Sequence, residues 1–483
     1  MNLKVISRNV GLALLVSALF MLLSMGVSLA DGMDSAFTPL LICFIITFLV
    51  GIFPFIFVRK TARITLKDGF MIIFLSWLLS FIFGGLPYAL WGGPFTLINA
   101  WFESVSGFTT TGATILEDIE SLPRSLVFWR ASTHFIGGLG VVVFLLLIIP
   151  TSSPMRLRLA NMELSSLSRD DYRSRANKTV YIFAYVYLGL VVVYFLSYWA
   201  AGMSAFDAIC HAFSVGASGG FSSRNLSIAA FDSTLISSLT IVFMFLSSIH
   251  FGIIFMTLVS RSVKPLKNPI LEFYVIGLAI VAIVTSLSLK LSGTDASWGK
   301  AFMDGTFHVV SYASTTGFGL SDNSTWGALP SFMLILVSLV CGCAGSTSGG
   351  LKVDRILVLL KAMHMQIKKT LNPYVMYELR LGRRILHDED VYPHVLYIAI
   401  FMIIISTSTV LCLLVGDPNG HALVGSLASL ANVGPSIGTI GAMGNYNAEP
   451  GIIKFIFSVD MFLGRVEIYP VFAVISSIFV RKY

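Results

Sequence analysis

Four short stretches of this sequence end in a glycine that follows small polar or small apolar residues. The first and third read Val-Ser-x-x-[Ser/Thr]-Thr-Thr-Gly and end at Gly112 and Gly317, whereas looser second and fourth versions end at Gly219 and Gly434. Glycine permits backbone angles that aim carbonyl groups inward, and inward carbonyls can replace the water shell of a cation. The chemistry that this pattern predicts is coordination of a cation by backbone oxygen atoms.

The four predicted coordinating loops share a glycine preceded by two small residues. They comprise Thr110, Thr111, Gly112, Ala217, Ser218, Gly219, Thr315, Thr316, Gly317, Asn432, Val433 and Gly434. Their glycines lie roughly a hundred residues apart, so one unit of that length is used four times. Small Thr, Ser and Asn side chains next to each glycine are suited to anchoring the loop.

The elements that must position these loops are long and apolar. The chain has 483 residues, of which 56% are hydrophobic and 12% charged, against about 45–50% and about 25% in soluble domains. Seven apolar runs are long enough to cross a bilayer as helices: Val10–Leu29, Leu40–Val58, Phe70–Leu90, Val180–Trp199, Leu235–Val259, Leu271–Leu289 and Val395–Leu414. The sequence therefore predicts an all-α integral membrane protein.

Each predicted loop lies between two long apolar runs and follows a shorter, moderately apolar stretch. Non-helical backbone at membrane depth is tolerated only where it lines a cavity or is buried in protein. We therefore expect four pseudo-symmetric repeats of helix, pore helix, filter loop and helix, with each pore helix pointing the negative end of its dipole at the cation. The expected boundaries are two leading transmembrane helices in 1–66 and pore repeats in 67–165, 166–268, 269–385 and 386–483.

The net charge of +7 is explained by orientation in a membrane, and we expect no nucleic-acid partner. Basic residues cluster between particular apolar runs, with the longest groups in 151–179 and 352–390. By the positive-inside rule these groups mark the cytoplasmic side, which places both termini there. The intervening segments carry tryptophans typical of an outer interfacial belt: Trp91, Trp101, Trp129, Trp199, Trp298 and Trp326.

Two further features lie below the predicted loops. The stretch Gly345, Ser346, Thr347, Ser348, Gly349 and Gly350 is a poor helix former, and it interrupts the predicted inner helix of the third repeat. It is either an ordinary helix break or a flexible intramembrane gate. Arg465 is expected deep in the last helix, among Val459–Val474, where a charge is costly. We expect it to face the pore as a positive barrier or to form a structural ion pair with nearby Asp460 or Glu467.

Other chemistry has little support in the sequence. The five cysteines lie mostly in apolar runs, which is typical of small buried side chains. His134, His211, His250 and His308 lack the spacing of haem or metal ligands, so we interpret them as hydrogen-bonded core residues. A membrane enzyme or respiratory subunit would need a reactive group of residues that is not evident here. We expect no enzymatic activity, no tightly bound cofactor and cations in the pore.

The motifs resemble those of one family along nearly the whole chain. The residues that carry the resemblance are Phe-Glu-Ser-Val-Ser-Gly-Phe-Thr-Thr-Thr-Gly-Ala-Thr at 102–114, Gly-Gly-Phe-Ser at 219–222, Ser-Thr-Thr-Gly-Phe-Gly at 314–319, Asn-Val-Gly-Pro at 432–435, the Gly-rich stretch at 342–352 and Leu-Gly-Arg-Val-Glu-Ile at 463–468. With them the chain resembles the TrkH-like membrane subunit of Trk-type potassium uptake systems, in the Trk/Ktr/HKT superfamily.

The resemblance implies a function and partners. It implies potassium uptake through a pseudo-fourfold pore in the bacterial inner cell membrane, in a homodimer surrounded by membrane lipid. It also implies gating by the 345–350 loop with Arg465, under the control of a cytosolic TrkA-like ring of nucleotide-binding subunits. Rubidium or sodium are further candidate ions, and sodium- or proton-coupled symport is the alternative mechanism. Serine in the first loop accompanies sodium transport in the superfamily, so Gly112 favours potassium. Ala217-Ser218 departs from the usual Ser/Thr pair.

Overall fold

The structure is a computed structural model that describes residues 2–58, 65–148, 176–294, 297–372, 374, 377–382 and 384–479. The expected boundary between residues 165 and 166 and most of the basic stretch 151–179 lie outside these residues. The helices are numbered here in chain order. They are α1 Leu3–Ala30, α2 Phe37–Phe57, α3 Leu66–Trp91, α4 Leu97–Phe108, α5 Arg124–Ile148, α6 Ala176–Ala200, α7 Ala205–Gly216, α8 Thr234–Ser248, α9 Phe251–Ser260, α10 Pro269–Leu291, α11 Trp298–Ala313, α12 Ala328–Val340, α13 Val353–Leu371, α14 Asp388–Val415, α15 Ala422–Leu430, α16 Gly451–Arg465 and α17 Ile468–Phe479.

The seven apolar runs that the sequence predicts as spans are all helical. Six of them form single helices that are long and apolar enough to cross a membrane, namely α1, α2, α3, α6, α10 and α14. The seventh, Leu235–Val259, forms the pair α8 and α9, which bends by 100° at its break. The prediction of an α-helical membrane protein is therefore confirmed.

Four short helices, α4, α7, α11 and α15, each end directly before one of the glycine loops. The first three begin at a hydroxyl residue whose side chain accepts a backbone N–H three residues later: Thr96, Ser204 and Ser297. Such a cap satisfies one of the unpaired N–H groups of the first turn. Each short helix follows a long one and precedes another apolar helix, so this order of elements occurs four times along the described chain.

The helix that follows each loop is interrupted. In α5 the break is at Gly140, with φ +69°, and in the second unit it is at Ile249–His250 between α8 and α9. In the third unit residues 341–352 separate α12 from α13, and in the fourth Val466 and Glu467 separate α16 from α17. The expectation that Arg465 lies inside a continuous last helix is therefore wrong, because Glu467 adopts φ +59°, which an L-residue in a helix does not.

The packing around the first loop is dominated by large aromatic residues. Trp77 and Phe81 of α3 and Phe102 and Phe108 of α4 are all buried in one core cluster with residues of α1, α2 and α16. Within the described part of the chain, a small element departs from an all-helical fold: Leu379–Leu381 and Arg384–Leu386 pair as an antiparallel hairpin. Leu379 and Leu386 pack against Val358 of α13. The hairpin lies in a predicted basic segment and not in a span.

Candidate functional site

The four glycine loops meet each other in a closed order. A Cβ added at Gly112 would overlap the carbonyl of Gly219 in the second loop, and one at Gly220 would overlap the carbonyl of Thr316 in the third. One at Gly317 would overlap the carbonyl of Val433, and one at Gly434 would overlap the carbonyl of Thr111 in the first loop. Because loop 4 returns to loop 1, the loops form a ring, and each junction needs a residue without a side chain.

Backbone angles define the register of the four loops. A residue with positive φ precedes, by two positions, a glycine with positive φ in every loop. The pairs are Thr110 (53°) with Gly112 (81°), Ser218 (56°) with Gly220 (81°), Thr315 (59°) with Gly317 (76°) and Asn432 (55°) with Gly434 (84°). The residues between them, Thr111, Gly219, Thr316 and Val433, each donate their N–H at 2.9 Å to a carbonyl five residues earlier.

This register corrects the sequence alignment of the second loop. Gly220, not Gly219, is the counterpart of Gly112, so Ser218 is the counterpart of Thr110. The departure expected at Ala217-Ser218 is therefore misplaced by one residue. The true departure is Gly219, which stands where loop 1 has Thr111. The alignment was ambiguous because Gly219 and Gly220 are adjacent, and either one could be matched to Gly112.

Side chains of the loops bond mostly to the loops themselves. Thr109 Oγ1 lies 2.8 Å from Thr111 Oγ1, and Ser314 Oγ lies 2.8 Å from Thr316 Oγ1. Asn432 Nδ2 donates to Thr111 Oγ1 at 3.0 Å, across the junction of loops 4 and 1. These small polar residues therefore hold the backbone in place, which leaves carbonyl oxygens as the groups available to an ion.

The Gly-rich stretch 345–350 lies against loops 2 and 3 of this ring. Thr347 Oγ1 is 2.8 Å from Ser218 Oγ of loop 2 and donates to Gly216 O at 3.1 Å. The N–H of Gly349 donates to Thr315 Oγ1 of loop 3 at 2.9 Å. The structure thus brings the predicted gate residues together with the predicted filter residues.

Arg465 contacts the same stretch. Its Nη1 donates to the carbonyl of Thr347 at 2.8 Å, and its Nη2 donates to the carbonyl of Gly137 in α5 at 2.6 Å. The two acidic residues that the sequence offered have other partners. Asp460 accepts from Ser408 Oγ at 2.7 Å, and Glu467 lies 2.9 Å from Arg355 Nη2. Arg465 therefore joins the last unit to the Gly-rich stretch and to the first unit.

A polar vestibule is lined by three ring glycines and by the residue that follows the fourth. Gly112, Gly220, Gly317 and Pro435 line it, so all four loops contribute. Asn225 also lines it, and its Nδ2 donates to Asp118 at 2.8 Å; this hydrogen bond lowers the pKa of the Asp118 carboxyl. Glu117, Arg130 and Arg224 line the vestibule as well, so it presents side chains of both charges.

Comparison with known proteins decides the family. Residues 38–480 match the family described as TrkH, cation transport protein. The chain belongs to the TrkH family. It is 34% identical to the Trk system potassium uptake protein TrkH of Halomonas elongata, over 100% of both chains. It is 31% identical to TrkG of Escherichia coli, over 100% of this chain and 99% of the relative. The crystal structure of the potassium transporter TrkH from Vibrio parahaemolyticus matches with a TM-score of 0.89 and 29% identity, over 100% of both chains.

In this TrkH-family chain, one position of the short helices has a role that sequence reasoning missed. It lies nine residues before the ring glycine of each loop. Glu103 there accepts from Thr114 Oγ1 at 3.0 Å, His211 Nε2 lies 2.9 Å from Ser222 Oγ, and His308 Nε2 lies 3.1 Å from Ser321 O. The fourth unit has Gly425 there. In three units this side chain ties the short helix to the segment that leaves the ring, a pattern visible only in the corrected register.

Arg130 was also missed. Its Nε lies 2.6 Å from Glu103 Oε1, and both side chains are buried. The two residues come from different helices and are separated by 27 positions. No local spacing pattern therefore predicts the pair. The interpretation of His211 and His308 as hydrogen-bonded core residues agrees with their contacts, because both ring nitrogens of each have partners.

Proposed function

We propose that this chain takes up potassium through a pore on the axis of its four glycine loops. The observation that carries the proposal is the closed order of the loops, in which each ring glycine faces a carbonyl of the next loop. Carbonyl rings of this kind replace the hydration shell of a cation. The full-length similarity to proteins named for potassium uptake in Halomonas elongata and Escherichia coli supports potassium as the cargo.

The membrane arrangement follows from charge. The helices α1, α2, α3, α6, α10 and α14 are long enough to span, and basic residues cluster at 352–390. We place this face and both termini in the cytoplasm, and the chain in the bacterial inner membrane. The pore would consist of repeats 67–165, 166–268, 269–385 and 386–483, preceded by two helices in 1–66.

The filter would be formed by the four loops and the gate by the stretch 345–350. Thr347 and Gly349 hydrogen-bond to residues of loops 2 and 3, so this stretch obstructs the inner side of the ring. Arg465 adds a positive charge next to the obstruction. Both features oppose a cation, so opening would require the stretch to leave Ser218 and Thr315.

The regulatory partner would act from the cytoplasmic face. Helix α13 starts where the Gly-rich stretch ends and carries Lys361, Lys368 and Lys369. A cytosolic TrkA-like nucleotide-binding ring docked there could pull on the stretch through α13. We propose that the active unit is a homodimer with such a ring and with no nucleotide site of its own.

The decisive test is ion flux in liposomes made from the pure protein. Fluxes of rubidium, as a potassium analogue, and of sodium are measured with and without a candidate ring. Each flux is measured without a proton gradient and with proton gradients of either direction. Rubidium flux well above sodium flux, independent of proton and sodium gradients, supports a selective pore. Flux that requires a sodium or proton gradient would establish symport, and equal flux of both ions would refute the filter.

A further inference from the structure

Two buried charges stand directly behind the ring. The side chain of Glu103 on α4 is 0% exposed and that of Arg130 on α5 is 2% exposed, with Arg130 Nε 2.6 Å from Glu103 Oε1. Removing two charges from water costs several kcal/mol per ion, which their attraction offsets only with good geometry and further hydrogen bonds. A buried ion pair does not in general make a fold more stable. The reason for this pair is therefore to be sought in the segments that it connects.

The remaining hydrogen bonds of the pair go to two different loops. Glu103 Oε2 accepts the N–H of Ile115 at 3.1 Å, and its carboxylate accepts from Thr114 Oγ1, so it holds the segment that leaves loop 1. Arg130 Nη1 donates to the carbonyl of Ser222 at 3.0 Å, in the segment that leaves loop 2. The pair therefore joins the outer limbs of loops 1 and 2.

Loop 2 also rests on the arginine through an aromatic contact. The guanidinium carbon of Arg130 lies 3.5 Å from the centre of the Phe221 ring. His134 stacks on the same Phe221 ring, with ring centroids 4.1 Å apart. His134 in turn lies 3.1 Å from Ser214 Oγ of α7. Arg130 thus fixes Phe221, which directly follows the ring glycine Gly220.

Loop 2 lacks an internal support that loops 1 and 3 possess. In loop 1 the hydroxyl of Thr111 bonds to its neighbour Thr109, and in loop 3 that of Thr316 bonds to Ser314. The corresponding residue of loop 2 is Gly219, which has no side chain. The position of loop 2 must then be set by contacts from outside the loop, and those of Arg130 are charged and buried.

We propose that Glu103 and Arg130 are positioning residues that fix the spacing between loops 1 and 2 and thereby set the discrimination between potassium and sodium. The pair replaces the support that Gly219 cannot give. A ring that can contract accommodates the smaller ion, so loosening this junction lets sodium pass. This inference rests on the proposed function of the ring.

Three variants test the pair. Arg130→Lys keeps a positive charge but cannot reproduce the planar fork that reaches Glu103 and Ser222 together. Glu103→Gln keeps the shape and removes the charge. Thr114→Val removes the hydroxyl that donates to Glu103 and accepts the N–H of Leu116, so it loosens the hold of the pair on loop 1 while both charges remain. The control is Asp460→Asn, which replaces another buried acidic side chain, bonded to Ser408 on α14.

The measurement is the ratio of rubidium to sodium flux in liposomes, per folded protein. We expect Arg130→Lys and Glu103→Gln to lower the ratio by about tenfold, which corresponds to about 1.4 kcal/mol of differential stabilisation. Thr114→Val should lower it less, and the control should leave it within about twofold of wild type. A rise in sodium flux distinguishes altered positioning from general damage, which lowers the flux of both ions.

Every outcome decides the inference. If Glu103→Gln and Arg130→Lys do not fold, Thr114→Val still decides it, because a wild-type ratio in that variant overturns the proposal. Folded variants with a wild-type ratio overturn it as well. Gly112→Ser is measured in parallel: if it lowers the ratio and the other variants do not, the ring remains the filter and only the pair is excluded. If Gly112→Ser also leaves the ratio unchanged, the proposed filter itself is wrong.

Discussion

Replacing Arg465 with alanine is expected to open the pore in the absence of any partner. The side chain donates to the carbonyl of Thr347 at 2.8 Å and to that of Gly137 at 2.6 Å, so it holds the Gly-rich stretch against α5. Hydrogen bonds to a charged group contribute roughly 1.5–3 kcal/mol each. Because Arg465 is only half-buried and water replaces part of the loss, we expect a net effect of about 2 kcal/mol.

That energy sets the size of the expected change. About 2 kcal/mol multiplies the ratio of open to closed stretch by roughly thirtyfold. Loss of the positive charge should add to this, since a like charge near a cation is felt more strongly in low-dielectric surroundings than in water. We therefore expect rubidium flux of Arg465→Ala to exceed that of wild type by about tenfold or more.

The assay is rubidium uptake into liposomes without the regulatory ring, normalised to folded protein. Arg124→Ala is the matched control, because it removes an arginine whose partner, the carboxylate of Asp31 at 3.0 Å, lies in the segment after α1. Wild-type flux is expected for the control. Flux at or below wild type in folded Arg465→Ala would refute the gate and leave Arg465 with a purely structural role.

Three further outcomes follow from the same contacts. Deleting part of 345–350 should raise rubidium flux without a ring. In combination with Arg465→Ala, the two free-energy effects on flux should be less than additive, because both changes relieve one constriction. Fully additive effects would indicate two separate barriers. Gly112→Ser should lower discrimination between rubidium and sodium, because its Cβ has no room against loop 2 at φ +81°, whereas Gly189→Ser has open space around it and should behave as wild type. Reversal of charge on α13 should abolish co-purification of a cytosolic ring, while the same change at Lys300 of α11, which we propose to lie on the non-cytoplasmic side, should not; if nothing cytosolic co-purifies with wild type, the ring hypothesis fails. The residues to reverse are Lys361, Lys368 and Lys369.

The spans were predictable because a bilayer demands about 20 apolar residues in succession, and few other structures produce such runs. The location of Gly112 and Gly317 in the ring was predictable from their shared pattern. The register of loop 2 was not predictable from the sequence, because Gly219 and Gly220 are adjacent glycines that differ only in their backbone angles.

The break at Val466 and Glu467 had a local signal, because Pro470 cannot donate a helical hydrogen bond to the carbonyl of Val466; the interpretation of a continuous last helix overlooked it. Other features depend on tertiary contacts. Glu103 and Arg130 meet only because α4 and α5 pack against each other. The hairpin at 379–386 lies in a polar segment whose short strands carry little periodic signal.

The contact between Asn432 and Thr111 joins residues 321 positions apart, and this has a consequence for biosynthesis. While the ribosome is still producing the fourth unit, loops 1 to 3 already exist, but loop 1 has only loop 2 as a neighbour in the ring. Gly434 and Asn432 complete the circle only after nearly the whole chain has entered the bilayer. A partly synthesised chain therefore has a gap in place of a finished coordination ring, and a truncated product that lacks the last unit could not retain a selective path for ions.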